Sequence, residues 1–247
     1  RAAQTINSKT LKTELTDAGN ESLALEGLAR QQGFDTSAAH TAYVDAHNSL
    51  KILRIIKDKH KENWEKFLGT STKSSVESIL KGEGIYSIFE NVKGRNMMYL
   101  VCTLHPTHCF HPSYASWGYL WDLRRDPEPF LDMSVSELKA NLKKISPKAL
   151  RVIKTNKAPV VLDKKFALKE KAYSDLDLET IKKRAELVRS NEKFCQNIQI
   201  INREAAEEKA QTKTQEDLLP EETLYEKFIP NKDTALFKIW HSSSWED

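Results

Sequence analysis

The chain has 247 residues, of which 39% are hydrophobic and 30% charged, with a net charge of +3. That balance belongs to soluble globular proteins rather than disordered tails, and no apolar run reaches the length of a membrane span. Cys102, Cys109 and Cys195 are the only cysteines, a sparse odd set that makes no disulfide framework and suits a reducing cytoplasm. A chain of this length holds one large domain or two smaller ones. It opens on Arg-Ala-Ala and is expected to be a piece of a longer protein.

In chain order, residues 1–20 are polar and irregular. Residues 22–32 predict a helix ended by Gly33. Residues 40–59 predict a longer one, with Val44, Leu50, Leu53 and Ile56 as its apolar stripe. Residues 61–80 add one or two more. After Gly82 the pattern changes to strands: Ile85–Phe89, Met97–Leu104 and Tyr119–Leu123, with Lys93-Gly94-Arg95-Asn96 as a turn. Val135–Lys144 reads as a short helix capped by Ser134 or Ser136. Leu150–Lys154 and Pro159–Leu162 read as two further strands. Several strands over about 80 residues with one inserted helix suggest a small β-barrel. Residues 176–210 return to helix. Thr212–Pro220 reads as a linker, and Leu224–Trp240 as a new helical element.

Four groups of residues carry chemistry. His40 and Asp45 flank the start of the helix over 40–59. A carboxylate that holds a divalent cation beside a histidine that takes a proton from water is one use of such a pair, in phosphodiester hydrolysis. A surface histidine beside an Asp favoured by the helix dipole is the other reading. Residues 139–171 carry eleven Lys and Arg, including Lys154, Lys157, Lys165 and Lys169, either a solvated face or a track for phosphates. Of the aromatics, Trp121 is expected in the core, and Trp117 or Tyr119 on the surface where bases could stack. His105, His108, Cys109 and His111 are close in sequence but lack structural zinc spacing. Pro106 and Pro112 make a plain loop the simpler account.

The order Leu25-Glu26-x-Leu28, Gly33, His40-x4-Asp45 resembles the last motif of the 3′→5′ exonucleases that use four carboxylates and a histidine. Tyr99-Leu100-Val101-Cys102-Thr103-Leu104-His105-Pro106 narrows the resemblance to the bacterial exonuclease I (exodeoxyribonuclease I) family. Trp121-Asp122-Leu123-x-x-Asp126, Leu138, Leu142 and Asn156-Lys157-x-Pro159-Val160 resemble the same family, as do Leu224-Tyr225-x-x-Phe228 and Lys238-Ile239.

The resemblance implies an α+β chain. Residues 1–68 would be the C-terminal part of a ribonuclease-H-like exonuclease domain, 69–172 an SH3-like β-barrel, and 173–247 a linking helix and the start of a helical domain. It implies part of a metal-dependent 3′→5′ single-stranded DNA exonuclease acting in DNA repair or recombination. Asp45 would be a metal-binding carboxylate and His40 the general base. The family's Asp-x-Glu and third acid have no match here, and two Mg²⁺ need more oxygens than one Asp supplies. This chain alone is therefore expected not to cleave DNA, and residues 1–20 are expected to be poorly ordered or rearranged. Lys154, Lys157, Lys165, Tyr119 and Trp117 would contact single-stranded DNA. Arg189 and Lys169 would capture the acidic C-terminal tail of the single-stranded-DNA-binding protein. The other reading is a stand-alone module that binds single-stranded nucleic acid or a protein without catalysis.

Overall fold

The turn Lys93-Gly94 has φ values of 51° and 81°, the two positive angles that a two-residue type I′ hairpin requires. It joins β3 (Ile85–Val92) to β4 (Arg95–Thr103), with Val92 paired to Arg95. The structure, a computed structural model, describes residues 1–212 and 230–243. With β5 (Trp117–Asp122), β6 (Leu150–Lys154) and β7 (Val161–Asp163), the hairpin builds a five-stranded antiparallel sheet in the order β6-β5-β4-β3-β7.

β5 lies between β6 and β4 and is buried on both faces beyond Trp117. A Cβ on Gly118 would lie 2.3 Å from Leu80 Cδ1, so glycine there lets α5 (Lys73–Lys81) close onto the strand. Trp121 stacks edge-on against Phe130 and Phe194 at 5.7 and 5.5 Å. α6 (Val135–Lys144) lies between β5 and β6 and starts on a Ser134–Glu137 capping box. The helix expected over 176–210 is two, α7 (Leu178–Ser190) and α8 (Glu192–Thr212). Asn191 breaks it, its Oδ1 accepting the Phe194 N–H at 2.9 Å, an N-cap bond that begins a new helix. The strand expected from Pro159 starts only at Val161, because Pro159 has no N–H to give and Ala158 is left-handed at φ 43°.

A buried ionic cluster pins the sheet to the segment before α7. Asp122 accepts from Tyr173 Oη at 2.9 Å and from the Arg124 and Arg151 guanidinium groups at 3.1 and 3.3 Å. Arg151 also reaches Glu90 at 3.0 Å and lies 3.5 Å from the Tyr99 ring centroid. Tyr173 Oη accepts the Leu100 N–H at 2.9 Å.

The N-terminal residues hold α1 (Ala2–Ile6), a short hairpin of β1 (Glu14–Leu15) and β2 (Glu21–Ser22), α2 (Leu25–Gln31), α3 (Ala42–Lys59) and α4 (Trp64–Leu68). Of the expectation that residues 1–20 are poorly ordered or rearranged, the first part is corrected. Leu11 is buried with Leu28 and Ile52. Thr10 Oγ1 meets His60 Nε2 at 2.7 Å, and Lys59 Nζ donates to the Lys9 and Thr10 carbonyls at 2.9 and 2.8 Å. The end of α3 thus supplies the contacts that a sheet was expected to supply. The stripe on α3 is also rotated. Ile52, Ile55 and Ile56 face α2, while Leu50 and Leu53 are 46% and 49% exposed.

The chain divides into two units, Arg1–Arg203 and Glu204–Asp247. The described part of the second holds the end of α8 and a helix over Asn231–Ser242. Leu224, Tyr225, Phe228 and most of the expected linker lie outside the described residues. Among the described residues no helix is long and apolar enough to cross a membrane.

Candidate functional site

The loop that carries His40 is set by the way α2 ends. Gly33 (φ 76°) donates to Arg30 O and Phe34 N–H to Ala29 O, at 3.0 and 2.9 Å, the paired bonds of a Schellman cap. Phe34 then packs beside Leu28 and Ile52, and Asn48 on α3 holds the Asp35 carbonyl at 3.0 Å. The loop returns to α3 through His40, which is left-handed at φ 70°.

His40 and Asp45 come together through the backbone. The His40 N–H donates to Asp45 Oδ1 at 3.3 Å, and the half-buried Asp45 lies in the first turn of α3, where its charge suits the helix N-terminus. The His40 imidazole reaches the other way, to Glu26 Oε2 at 3.4 Å, with its side chain 85% exposed. The arrangement offers an exposed base, one half-buried carboxylate, and a second carboxylate on α2. Among the described residues, no group of three or more His, Cys, Asp or Glu ligand atoms converges at Asp45. Mg²⁺ asks for near-octahedral oxygen ligation, and a two-metal site asks for several carboxylates. The chain's own described residues therefore do not by themselves make a two-magnesium site.

The binding residues fall in separate places. Trp117 faces Lys154 across β5 and β6, with Lys154 Nζ 4.9 Å from the ring centroid, a cation–π distance. Tyr114 stacks on Trp117 at 4.9 Å and is 38% exposed, so it completes a basic aromatic ledge that sequence reading missed. Tyr119 is 1% exposed and belongs to the core, which corrects its assignment as a stacking surface. Lys157 is exposed just beyond β6. Lys165 is exposed just beyond β7, on the opposite edge of the strand order, with Nζ 5.5 Å from the Phe166 ring. Arg189 is half-buried on α7. It makes a long bond of 3.5 Å to the Gly84 carbonyl, and its Nε is buried without an acceptor. Lys169 is exposed at the end of a short 3₁₀ turn, Ala167–Lys169.

Residues 94–204 match the family model of the exonuclease I SH3-like domain. A curated exodeoxyribonuclease I from Haemophilus influenzae is 24% identical over 182 residues, covering 70% of this chain and 38% of the relative. Exonuclease I from Methylocaldum szegediense superposes with a TM-score of 0.63 at 18% identity, over 99% of this chain and 53% of that one. E. coli exonuclease I in complex with a dT13 oligonucleotide gives 0.63 at 17%, over 98% and 52%. An ExoI/SSB-Ct complex gives 0.59 at 16%, over 98% and 51%. At these identities the structures establish a shared fold. The chain spans about half the length of the structures and 38% of the curated relative. Residues 94–204 thus resemble the SH3-like domain of exonuclease I, and the chain shares the fold of exonuclease I along nearly its whole length.

Proposed function

We propose that this chain is part of a 3′→5′ single-stranded DNA exonuclease of the exonuclease I type, a hydrolase acting in DNA repair or recombination in the cytoplasm. The observation that carries the reading is the position of Asp45. It opens α3 as a half-buried carboxylate beside His40, ahead of a barrel that matches the exonuclease I SH3-like domain. In a complete enzyme Asp45 would be one of the carboxylates that hold a pair of divalent cations, which would supply an activated water, and His40 would be the base placed to take its proton. Residues 1–68 close the exonuclease domain, 69–172 form the barrel domain, and 173–247 lead into a helical domain.

Single-stranded DNA lies along Trp117 and Lys154, with Lys157 and Lys165 adding charge. The tail of the single-stranded-DNA-binding protein docks at Arg189 and Lys169. The dT13 and SSB-Ct complexes of the solved relatives support both partners by likeness of fold. The second reading, a binding module without catalysis, draws on the same ledge, since Trp117 with Lys154 needs no metal to hold a strand.

The experiment uses labelled single-stranded DNA with Mg²⁺ or Mn²⁺. The chain alone is expected to leave the DNA intact. Joined to a segment that carries an Asp-x-Glu strand and the third acid, it is expected to digest from the 3′ end, and Asp45→Ala is expected to abolish that digestion while DNA binding persists. Robust digestion by the chain alone, or digestion that survives Asp45→Ala, overturns the reading.

A further inference from the structure

The loop between β4 and β5 brings two histidines to the first turn of α8. One ring nitrogen of His105, one of His108 and a carboxylate oxygen of Glu192 lie within 4.8 Å of one another. Glu192 is 84 positions from His108, so local spacing in the sequence could not pair them.

The hydrogen bonds around the rings determine what this cluster can hold. His108 Nδ1 lies 3.0 Å from Gln199 Oε1. The Gln199 amide is oriented by its own Nε2, which donates to the Phe110 carbonyl at 3.1 Å. Its Oε1 therefore accepts, and His108 carries a proton on Nδ1. In neutral His108, Nε2 is then a lone pair facing Glu192 Oε1 at 3.2 Å. Two acceptors in that position repel unless something positive lies between them. A second proton satisfies the pair, but it leaves His105 without a role. His105 Nδ1 accepts the Thr107 backbone N–H at 3.4 Å and lies 2.7 Å from Thr107 Oγ1. One of its ring nitrogens reaches the shared point. Glu192 Oε1 also accepts from Gln196 at 3.4 Å, which steadies the carboxylate.

The other two candidates of that loop do not join. The Cys109 thiol donates to the Pro106 carbonyl at 3.2 Å, and burial pushes its pKa up to about 11. His111 Nδ1 accepts the Ser113 and Tyr114 N–H groups at 3.0 and 3.2 Å.

We propose that His105, His108 and Glu192 form a binding site for one nitrogen-preferring divalent cation of the zinc or cobalt class. Two histidines and a glutamate are a sufficient protein set for such an ion, with the fourth position left to water. Imidazole ligands select against Mg²⁺, which prefers oxygen. Gln199 supplies the outer hydrogen bond that orients a ligating histidine. The Glu192 side chain is 56% exposed and can swing to close bonds of about 2.0–2.2 Å. The ion ties the barrel loop to α8, separately from Asp45 and from the nuclease reading.

The test titrates the full chain with ZnCl₂ in excess MgCl₂ by calorimetry and follows thermal unfolding. One zinc per chain is expected, with a rise in Tm because the ion binds only the folded state. Cobalt in its place is expected to give the visible absorption of a tetrahedral site. His108→Ala and Glu192→Gln are each expected to weaken binding by at least about tenfold, and Gln199→Ala by about tenfold. Glu192→Gln is an exposed isostere that keeps the fold intact. Asp45→Ala leaves the zinc affinity unchanged. No stoichiometric zinc, the result for a plain histidine–carboxylate ion pair, overturns the proposal. So does zinc bound equally well by His108→Ala and Glu192→Gln.

Discussion

His60 and His111 are buried imidazoles that meet hydroxyl, amide and aromatic groups rather than a carboxylate. His60 touches Thr10 and tilts against Phe67, and His111 lies among Tyr114, Trp117 and Tyr119. Burial lowers both pKa values from the ordinary 6.5, with the Lys59 charge adding to the effect at His60. The unfolded chain therefore binds these protons first as pH falls. The stability that the neutral imidazoles carry is complete above the unfolded value and is lost as pH drops through 6.5 toward the lowered folded values. Urea denaturation is expected to give a midpoint that falls between about pH 7 and about pH 5, and His60→Gln to flatten that slope. A flat midpoint over the window in the unmodified chain would contradict the assignment. Residue types named this site chemistry only in part. Trp117, Tyr119 and Trp121 lie two apart along one strand and share a face, so period two groups all three and does not separate the buried Tyr119 and Trp121 from Trp117 at the start of the strand. Tyr114 on the Trp117 ledge follows from a loop whose path no periodicity encodes.

At the scale of elements, β5 carries the tightest constraint. Gly118→Ala sets a methyl group 2.3 Å from Leu80 Cδ1, where the buried Leu80 side chain must give way. Overpacking of this kind costs about 1–3 kcal/mol, and the loss is expected in the urea midpoint at unchanged slope. Tyr173→Phe removes the donor to Asp122 and strands the Leu100 N–H. A buried group left without a partner costs about 1–3 kcal/mol, so a similar destabilisation is expected, with the barrel still folded. A neutral result at both positions would mean that the sheet relaxes around them. The strands were legible as short apolar runs bounded by turn residues, above all the turn at Lys93-Gly94. The buried cluster of Asp122, Arg151, Glu90 and Tyr173 was not, because its members come from four separate segments and each reads alone as a surface charge or a loop tyrosine. The break at Asn191 was likewise hidden, since a single capping residue leaves the helical pattern on either side intact.

For the whole molecule, the change in pattern at Gly82 foretold the passage from helices to barrel. The placement of the basic residues needed the structure. Lys154 and Lys157 lie at the β6 edge of the strand order and Lys165 beyond β7. Only Lys154 is joined to an aromatic of the proposed DNA ledge, at 4.9 Å from Trp117. If phosphates are held here, affinity for single-stranded DNA is expected to be independent of sequence and to fall with salt. The log–log slope is about −0.7 for each phosphate neutralised. Replacing Lys154, Lys157 and Lys165 together is expected to flatten that slope, because each lost contact no longer releases a counterion. Trp117→Ala makes a different prediction from the same ledge. It removes a stacking surface worth about 1–3 kcal/mol per base and so lowers affinity at every salt concentration with little change in slope. Arg189→Ala is expected to spare DNA while weakening an acidic peptide with a terminal carboxylate, since a guanidinium pairs with a carboxylate as a fork. Salt titrations of the triple-lysine, Trp117 and Arg189 variants, with DNA and peptide as separate ligands, separate charge from stacking and one partner from the other. Equal losses for both ligands in every variant would reduce the barrel face to a diffuse basic surface and remove the two-partner assignment.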